Sequence, residues 1–249
     1  MVEILQWTTL IVCALAAAFR IPSALHGRNR SLFLVFLLAT AASVLSLEPF
    51  YLAIDGAVGG INIAHLLLRL IVFATIYLVA LLVCKAFGAA GAQRLISGPA
   101  GLAVLGIFTA ALVTVFVLME PEASSVGLAG IADTSARNAA LLPFYWAVAR
   151  GYPVYVVVAL LPALIRTVNS RLPALVRVGA GFMAGGAAAT AAGFLLEFTG
   201  PGPGVLRSAV NNAAVVFFVL GLGLVWLARV RAIGSRKPGE RRGTSCTDR

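Results

Sequence analysis

The sequence predicts an all-α membrane protein, a bundle of seven transmembrane helices with its N-terminus outside and its C-terminus in the cytoplasm. Three observations predict it. Of the 249 residues, 61% are apolar and only 11% charged, and the mean hydropathy is +0.99. A soluble domain is nearer 45–50% apolar and about 25% charged. The apolar residues fall into seven separate stretches, against the roughly 20 residues that one spanning helix needs. The charges between the stretches alternate in sign, so the net charge of +10 marks a membrane orientation and does not call for nucleic acid.

Segment one, residues 4–19, has Glu3 before it and Arg20 after it, the reverse of a secretory signal peptide. Segment two, 32–47, stops at Glu48-Pro49. Segment three, 61–87, is entered through Asp55-Gly56 and Gly59-Gly60. Segment four, 99–119, begins at Pro99, a residue suited to a first helical position, and ends at Glu120-Pro121. Segment five, 143–165, follows the longest connection, a small-residue loop expected to be mobile. Segment six, 174–198, ends at Gly200-Pro201-Gly202-Pro203-Gly204, and segment seven covers 209–228. Residues 1–228 thus form the membrane domain, and 229–249 a basic tail expected to be disordered and to contact anionic lipid.

The connections carry the orientation. Arg20, Arg28 and Arg30, then Lys85 and Arg94, then Arg166, Arg171 and Arg177, and finally the tail fall on one side. The positive-inside rule makes that side cytoplasmic. Glu3, Glu48, Asp55, Glu120, Glu122, Asp133 and Glu197 fall at or near the other. The expected location is the cytoplasmic membrane of a bacterium, crossed several times.

Several chemistries lack their residues. Segment seven has no lysine for a retinal Schiff base. His26 and His65 are the only histidines, too few for haem ligation between helices. HExxH, an intramembrane aspartate pair, and P-loop or dinucleotide glycine motifs are absent. Cys13, Cys84 and Cys246 show no metal spacing. The sequence therefore calls for no enzyme, no cofactor and no metal.

Polar residues inside the spans are the candidate site. A charge at the centre of a membrane helix costs about 2.5–3.5 kcal/mol on insertion scales and normally faces the interior. Asn62, His65 and Arg69 are spaced i, i+3, i+7 and share a helix face. Arg150 follows Tyr145-Trp146 and precedes Tyr152-Pro153. Arg207 and Asn211 are one turn apart at the start of segment seven, and Glu48 and Glu197 close the outer ends of segments two and six. Two readings stand. In one, these groups line an outward-facing cavity that attracts a small anion. In the other, Arg69 and Arg150 pair with Glu48, Asp55 or Glu197 and tie helices together, His65 donates between helices, and Tyr145-Trp146 belong to an interfacial aromatic belt.

Gly181, Gly185, Ala189 and Gly193 repeat every four residues, a smooth row that admits a neighbouring backbone. The row suits packing within the bundle, or a homodimer seam.

Arg20-Ile-Pro, Arg30-Ser-Leu-Phe-Leu, Glu48-Pro-Phe, Ile54-Asp55-Gly56 and Gly60-Ile-Asn62-Ile-Ala, leading to His65 and Arg69, resemble the seven-helix actinobacterial membrane proteins usually labelled transporters. The resemblance covers residues 20–70, and the Ala-, Gly-, Val- and Arg-rich usage suits a high-GC bacterium. Many members carry a cytoplasmic domain after helix seven, which this sequence does not show. The resemblance implies fold and location. It leaves open a transporter of a small solute or a membrane sensor or accessory subunit working through a cytoplasmic partner.

Overall fold

The computed structural model describes residues 2–26, 30–119, 128, 131–196 and 204–234, with only part of the side chains in the first and last helices. These residues form ten helices and, among them, no strand. They are α1 (Val2–Leu25), α2 (Arg30–Leu45), α3 (Glu48–Ala57), α4 (Ile63–Phe87) and α5 (Ala90–Ser97). There follow α6 (Pro99–Leu118), α7 (Ile131–Thr134), α8 (Ala136–Val168), α9 (Ala174–Leu196) and α10 (Gly204–Gly234).

Four helices, α4, α6, α8 and α9, are long and apolar enough to cross a membrane, and a fifth crossing is available if α2 and α3 act as one bent span. Their surfaces fit that reading. Ile107 and Val117 of α6 are 67% and 71% exposed, apolar side chains for which lipid is the natural solvent. The seven-span expectation is met only in part. The apolar runs of the first and last helices, Leu10–Pro22 and Val216–Ala228, are shorter than a crossing needs among the described residues.

Three boundaries differ from the sequence reading. The chain after segment two is not a loop. It bends by 88° at Ser46-Leu47 and continues as α3, with Pro49 in the first turn, where its missing N–H costs nothing. The connection after α4 holds α5, whose Ala92 and Ile96 are buried while Arg94 and Leu95 are exposed. The α5–α6 corner is tight: a Cβ on Gly101 would overlap the Leu95 and Ile96 carbonyls. Finally, α10 runs through Gly234, so residues 229–234 of the expected disordered tail are helical, and 235–249 lie outside the described residues.

The chain forms two compact units. The first comprises residues 1–160 and 194–200. Its core holds Tyr51, Phe73, Leu112, Phe116, Tyr145, Tyr152 and Val156, all nearly inaccessible. Leu45, Tyr51 and Ala64 make a small cluster where α2, α3 and α4 meet, with Ile54 and Leu68 against it.

The second unit comprises 161–193 and 201–249, and α9 and α10 pack closely in it. The small residues that bring them together are not the expected row. A Cβ on Gly179 would lie 2.8 Å from the Gly221 carbonyl oxygen, and one on Gly186 would lie 2.9 Å from the Phe218 ring. Met183 fills the space between them and occupies the place of a side chain at Gly221. Gly181, Gly185 and Gly193 make only ordinary contacts, at 3.9, 3.4 and 3.5 Å for the same added carbon, and Ala189 is half-buried.

Candidate functional site

The site begins at the break between α3 and α4. Gly59 and Gly60 have φ of 110° and 70°, and Asn62 has φ of 60°, so the backbone turns through the left-handed region. Glycine takes that region without strain, and asparagine is among the few other residues that do. A break of this kind exposes backbone N–H groups that α4 cannot satisfy itself. Asp55, fully buried, supplies the acceptors. Its Oδ2 accepts the Asn62 N–H at 2.9 Å and its Oδ1 the Ala64 N–H at 3.0 Å. Its carbonyl accepts the Gly60 N–H at 2.8 Å. The Tyr51 hydroxyl donates to Asn62 Oδ1 at 2.9 Å. Asp55 therefore works as a cap placed in the preceding helix.

Along α4, one face carries the chemistry. His65 is buried, and Arg69 Nε donates to His65 Nε2 at 3.4 Å. In this bond Nε2 is the acceptor, within one helix, which leaves the ring proton on Nδ1. The ring of His65 lies 5.8 Å from Tyr145 and 5.7 Å from Trp146, both on α8. Arg69 Cζ stands 4.8 Å from the centre of the Trp146 ring, inside the roughly 6 Å range of a cation–π contact. Trp146 is thus a wall of the site.

Arg69 is half-buried, and no carboxylate among the described residues pairs with it. Its polar neighbours are His65 and the hydroxyl of Tyr145. That hydroxyl is buried and makes no hydrogen bond of good geometry among the described residues. The arrangement is a guanidinium and a phenol converging inside an aromatic shell formed by His65, Tyr145 and Trp146, with Phe116 behind Tyr145 at 6.4 Å. Such donors suit an oxyanion or a carboxylate, which accepts from both.

Tyr152 lies two turns along α8 from Tyr145, in a second aromatic group. Its ring centre is 5.1 Å from Phe73, 6.5 Å from Phe108 and 6.4 Å from Tyr155. Its buried hydroxyl also has no partner among the described residues. Phe108 occupies the place of a side chain at Gly151, which is why α6 and α8 approach closely here.

No protein-family model, curated protein or solved structure matches this chain.

The predicted residues divide clearly. Asn62, His65 and Arg69 come together as the spacing required, and α8 brings Tyr145 and Trp146 to them. Tyr152 belongs to the deeper group. Arg150, half-buried on α8, is engaged with neighbours of its own. Glu48 is exposed in the first turn of α3, and Asp55 is given over to backbone groups, so neither is the counter-ion of Arg69. Glu197 and the side chains of Arg207 and Asn211 lie outside the described ones. Sequence reasoning missed the role of Tyr51 and Asp55 as the lock of the break. The signal was an acid seven residues before Asn62, the residue that precedes α4.

Proposed function

We propose that this is a multi-pass protein of a bacterial cytoplasmic membrane that passes a small anionic solute through the site around Arg69. In this reading all seven apolar segments cross, with the N-terminus outside and the C-terminus inside. The charge alternation of the connections supports that topology, and the resemblance over residues 20–70 agrees with it. The protein has no catalytic role, and its surroundings are lipid, with anionic lipid at the basic end.

One observation carries the functional reading. Arg69 stands among aromatic rings without a carboxylate among the described residues, and its polar neighbours there are His65 and the buried Tyr145 hydroxyl. A cation placed in an apolar span only to link helices would be met by an acid. A guanidinium with a phenol beside it and no acid among the described residues suits an anion that comes and goes.

The test is thermal unfolding of the purified protein in detergent with sulfate, inorganic phosphate, lactate or succinate. An anion at a hundred times its dissociation constant stabilises by about 2.7 kcal/mol, or about 5–10 °C for a chain of this size. Arg69→Gln should abolish the shift, and Arg69→Lys should weaken it by losing the planar fork. The stabilising anion is then supplied to proteoliposomes, where uptake should depend on Arg69. A shift that survives Arg69→Gln refutes the site, and a shift without uptake refutes transport.

A further inference from the structure

The second unit contains a groove of about 560 Å³ beside the α8–α9 turn, lined by Val168, Arg177, Gly181, Phe182, Gly185 and Phe217, with Ala174 and Val178 at its rim. Pockets for small molecules fall between about 300 and 1,000 Å³ and usually hold several convergent polar groups. This one has a single polar side chain. Its walls are the rings of Phe182 and Phe217, 5.9 Å apart, and its floor is the glycine row of α9, where an added carbon at Gly185 would just touch Phe217 at 3.4 Å. Gly181 and Gly185 of the expected row thus line the groove and make only ordinary contacts, while Gly179 and Gly186 make the close approaches to α10.

Arg177 is exposed, and its Nε donates to the Val168 carbonyl at 2.9 Å. Val168 ends α8, so this bond caps the helix C-terminus and holds the guanidinium at the rim of the groove. It uses one of five N–H donors. Arg166 and Arg171, also exposed, lie in the same stretch of chain, and Asp and Glu are absent from 134–196, so the surroundings of the rim attract anions.

We infer that the groove holds an anionic phospholipid, with an acyl chain along Gly181, Gly185 and the phenylalanine rings and the phosphate at Arg177. The charge decides the class. A neutral hydrocarbon leaves the held guanidinium unused, and a water-soluble anion gains nothing from walls without donors. An amphiphile with one anionic end matches both. Basic pockets at the ends of membrane helices bind such headgroups. The site is independent of Arg69 and of the transport reading.

The experiment is native mass spectrometry of the purified full chain equilibrated with equal amounts of dioleoyl phosphatidylglycerol and dioleoyl phosphatidylcholine. Phosphatidylglycerol should be retained in preference. Any arginine near an anionic surface contributes about fivefold to binding. Arg177→Gln should therefore lower phosphatidylglycerol retention by more than fivefold and by more than Arg231→Gln, which lies outside the groove. Gly185→Leu, filling the floor, should lower retention of both lipids, and glycerol 3-phosphate, which has no chains, should not be retained. Equal retention of the two lipids overturns the inference. So does an Arg177→Gln protein that binds phosphatidylglycerol as the parent does, or tight binding of glycerol 3-phosphate. A lipid-free dimer lost on Gly185→Leu would give the groove to a second copy of this chain and overturn it as well. Should Gly185→Leu fail to fold, the comparison of Arg177→Gln with Arg231→Gln decides alone.

Discussion

Asp55→Ala should loosen the corner between α3 and α4 more than any other single polar change in the first unit. The carboxylate is 0% exposed, so water does not replace what is lost. It accepts two backbone N–H groups at 2.9 and 3.0 Å. A hydrogen bond to a charged group contributes about 1.5–3 kcal/mol, and alanine leaves both donors buried and unpaired. The expected loss is about 3–6 kcal/mol. For a chain of this size, 1 kcal/mol corresponds to about 2–4 °C, so the fall in melting temperature should be at least about 6 °C. Asn keeps one oxygen but loses the charge and turns an amide N–H toward a donor, so Asp55→Asn should lose roughly half or more of the same amount. The assay is thermal unfolding in detergent, followed by circular dichroism and by the reactivity of a cysteine placed at Ile61. In Asp55→Ala that cysteine should react faster as the break opens. A melting temperature within a degree or two of the parent's, with unchanged reactivity, would refute the idea that this carboxylate holds the break.

Three further expectations use different parts of the molecule. Gly186→Leu should overpack the α9–α10 contact by about 1–3 kcal/mol, whereas Gly185→Ala, with an added carbon 3.4 Å from Phe217, should melt like the parent; the reverse ranking would restore the four-residue row as the seam. Tyr152→Phe removes a buried hydroxyl without a partner among the described residues, and a group in that state costs about 1–3 kcal/mol. The variant should therefore melt at or above the parent temperature, and a clear fall would show that the hydroxyl is bonded. Cysteines at 122–136 should react with impermeant reagents from outside intact cells, and those at 88–97 and 235–249 only once the cytoplasmic side is opened; outside labelling at 88–97 would break the seven-span topology.

The long apolar helices were legible because nothing competes with them. Helix α4 outside its His65–Arg69 face, and α6 throughout, are predominantly apolar, and the ends carry local signals, Gly88 with φ of 63° closing α4 and Pro99 opening α6. The short helices were not legible. In α3 the Glu48-Pro49 pair and Gly56 read as loop punctuation, and what holds the helix is tertiary, the burial of Tyr51 and the cap from Asp55 to α4. The helix α10 outruns the apolar segment that marked it, because arginine is a good helix former and needs no apolar partner to continue a helix. On α9 the glycines are so dense that two rows qualify, and periodicity cannot choose the one that meets α10. That choice is made by the place of Gly221 and Met183 on the facing surfaces.

The candidate site was half legible for a related reason. The spacing of Asn62, His65 and Arg69 depends on one helix and follows from its pitch. Their partners on α8 lie some eighty positions away, where Tyr145-Trp146 has the look of an interfacial belt. Of the acids expected to pair with Arg69, Glu197 lies outside the described residues, Glu48 is exposed, and Asp55 is engaged elsewhere, on an accounting of donors. Where a helix breaks in or near a membrane, its first N–H groups must find acceptors within the protein. Asp55 is the buried carboxylate at that break, and the backbone takes both of its oxygens. Among the described residues Arg69 then has a histidine nitrogen, a phenol hydroxyl and an aromatic face, which stabilise a cation less than a carboxylate does. The same break that orders the corner thereby keeps Asp55 from Arg69, which is the ground of the proposed anion site. In the double variant Asp55→Asn with Arg69→Gln, the stability loss should equal that of Asp55→Asn alone plus that of Arg69→Gln alone. Additivity is the mark of two groups that do not share a bond. A coupling of 1 kcal/mol or more would mean that the acid and the arginine are partners after all, and the anion site would lose its basis.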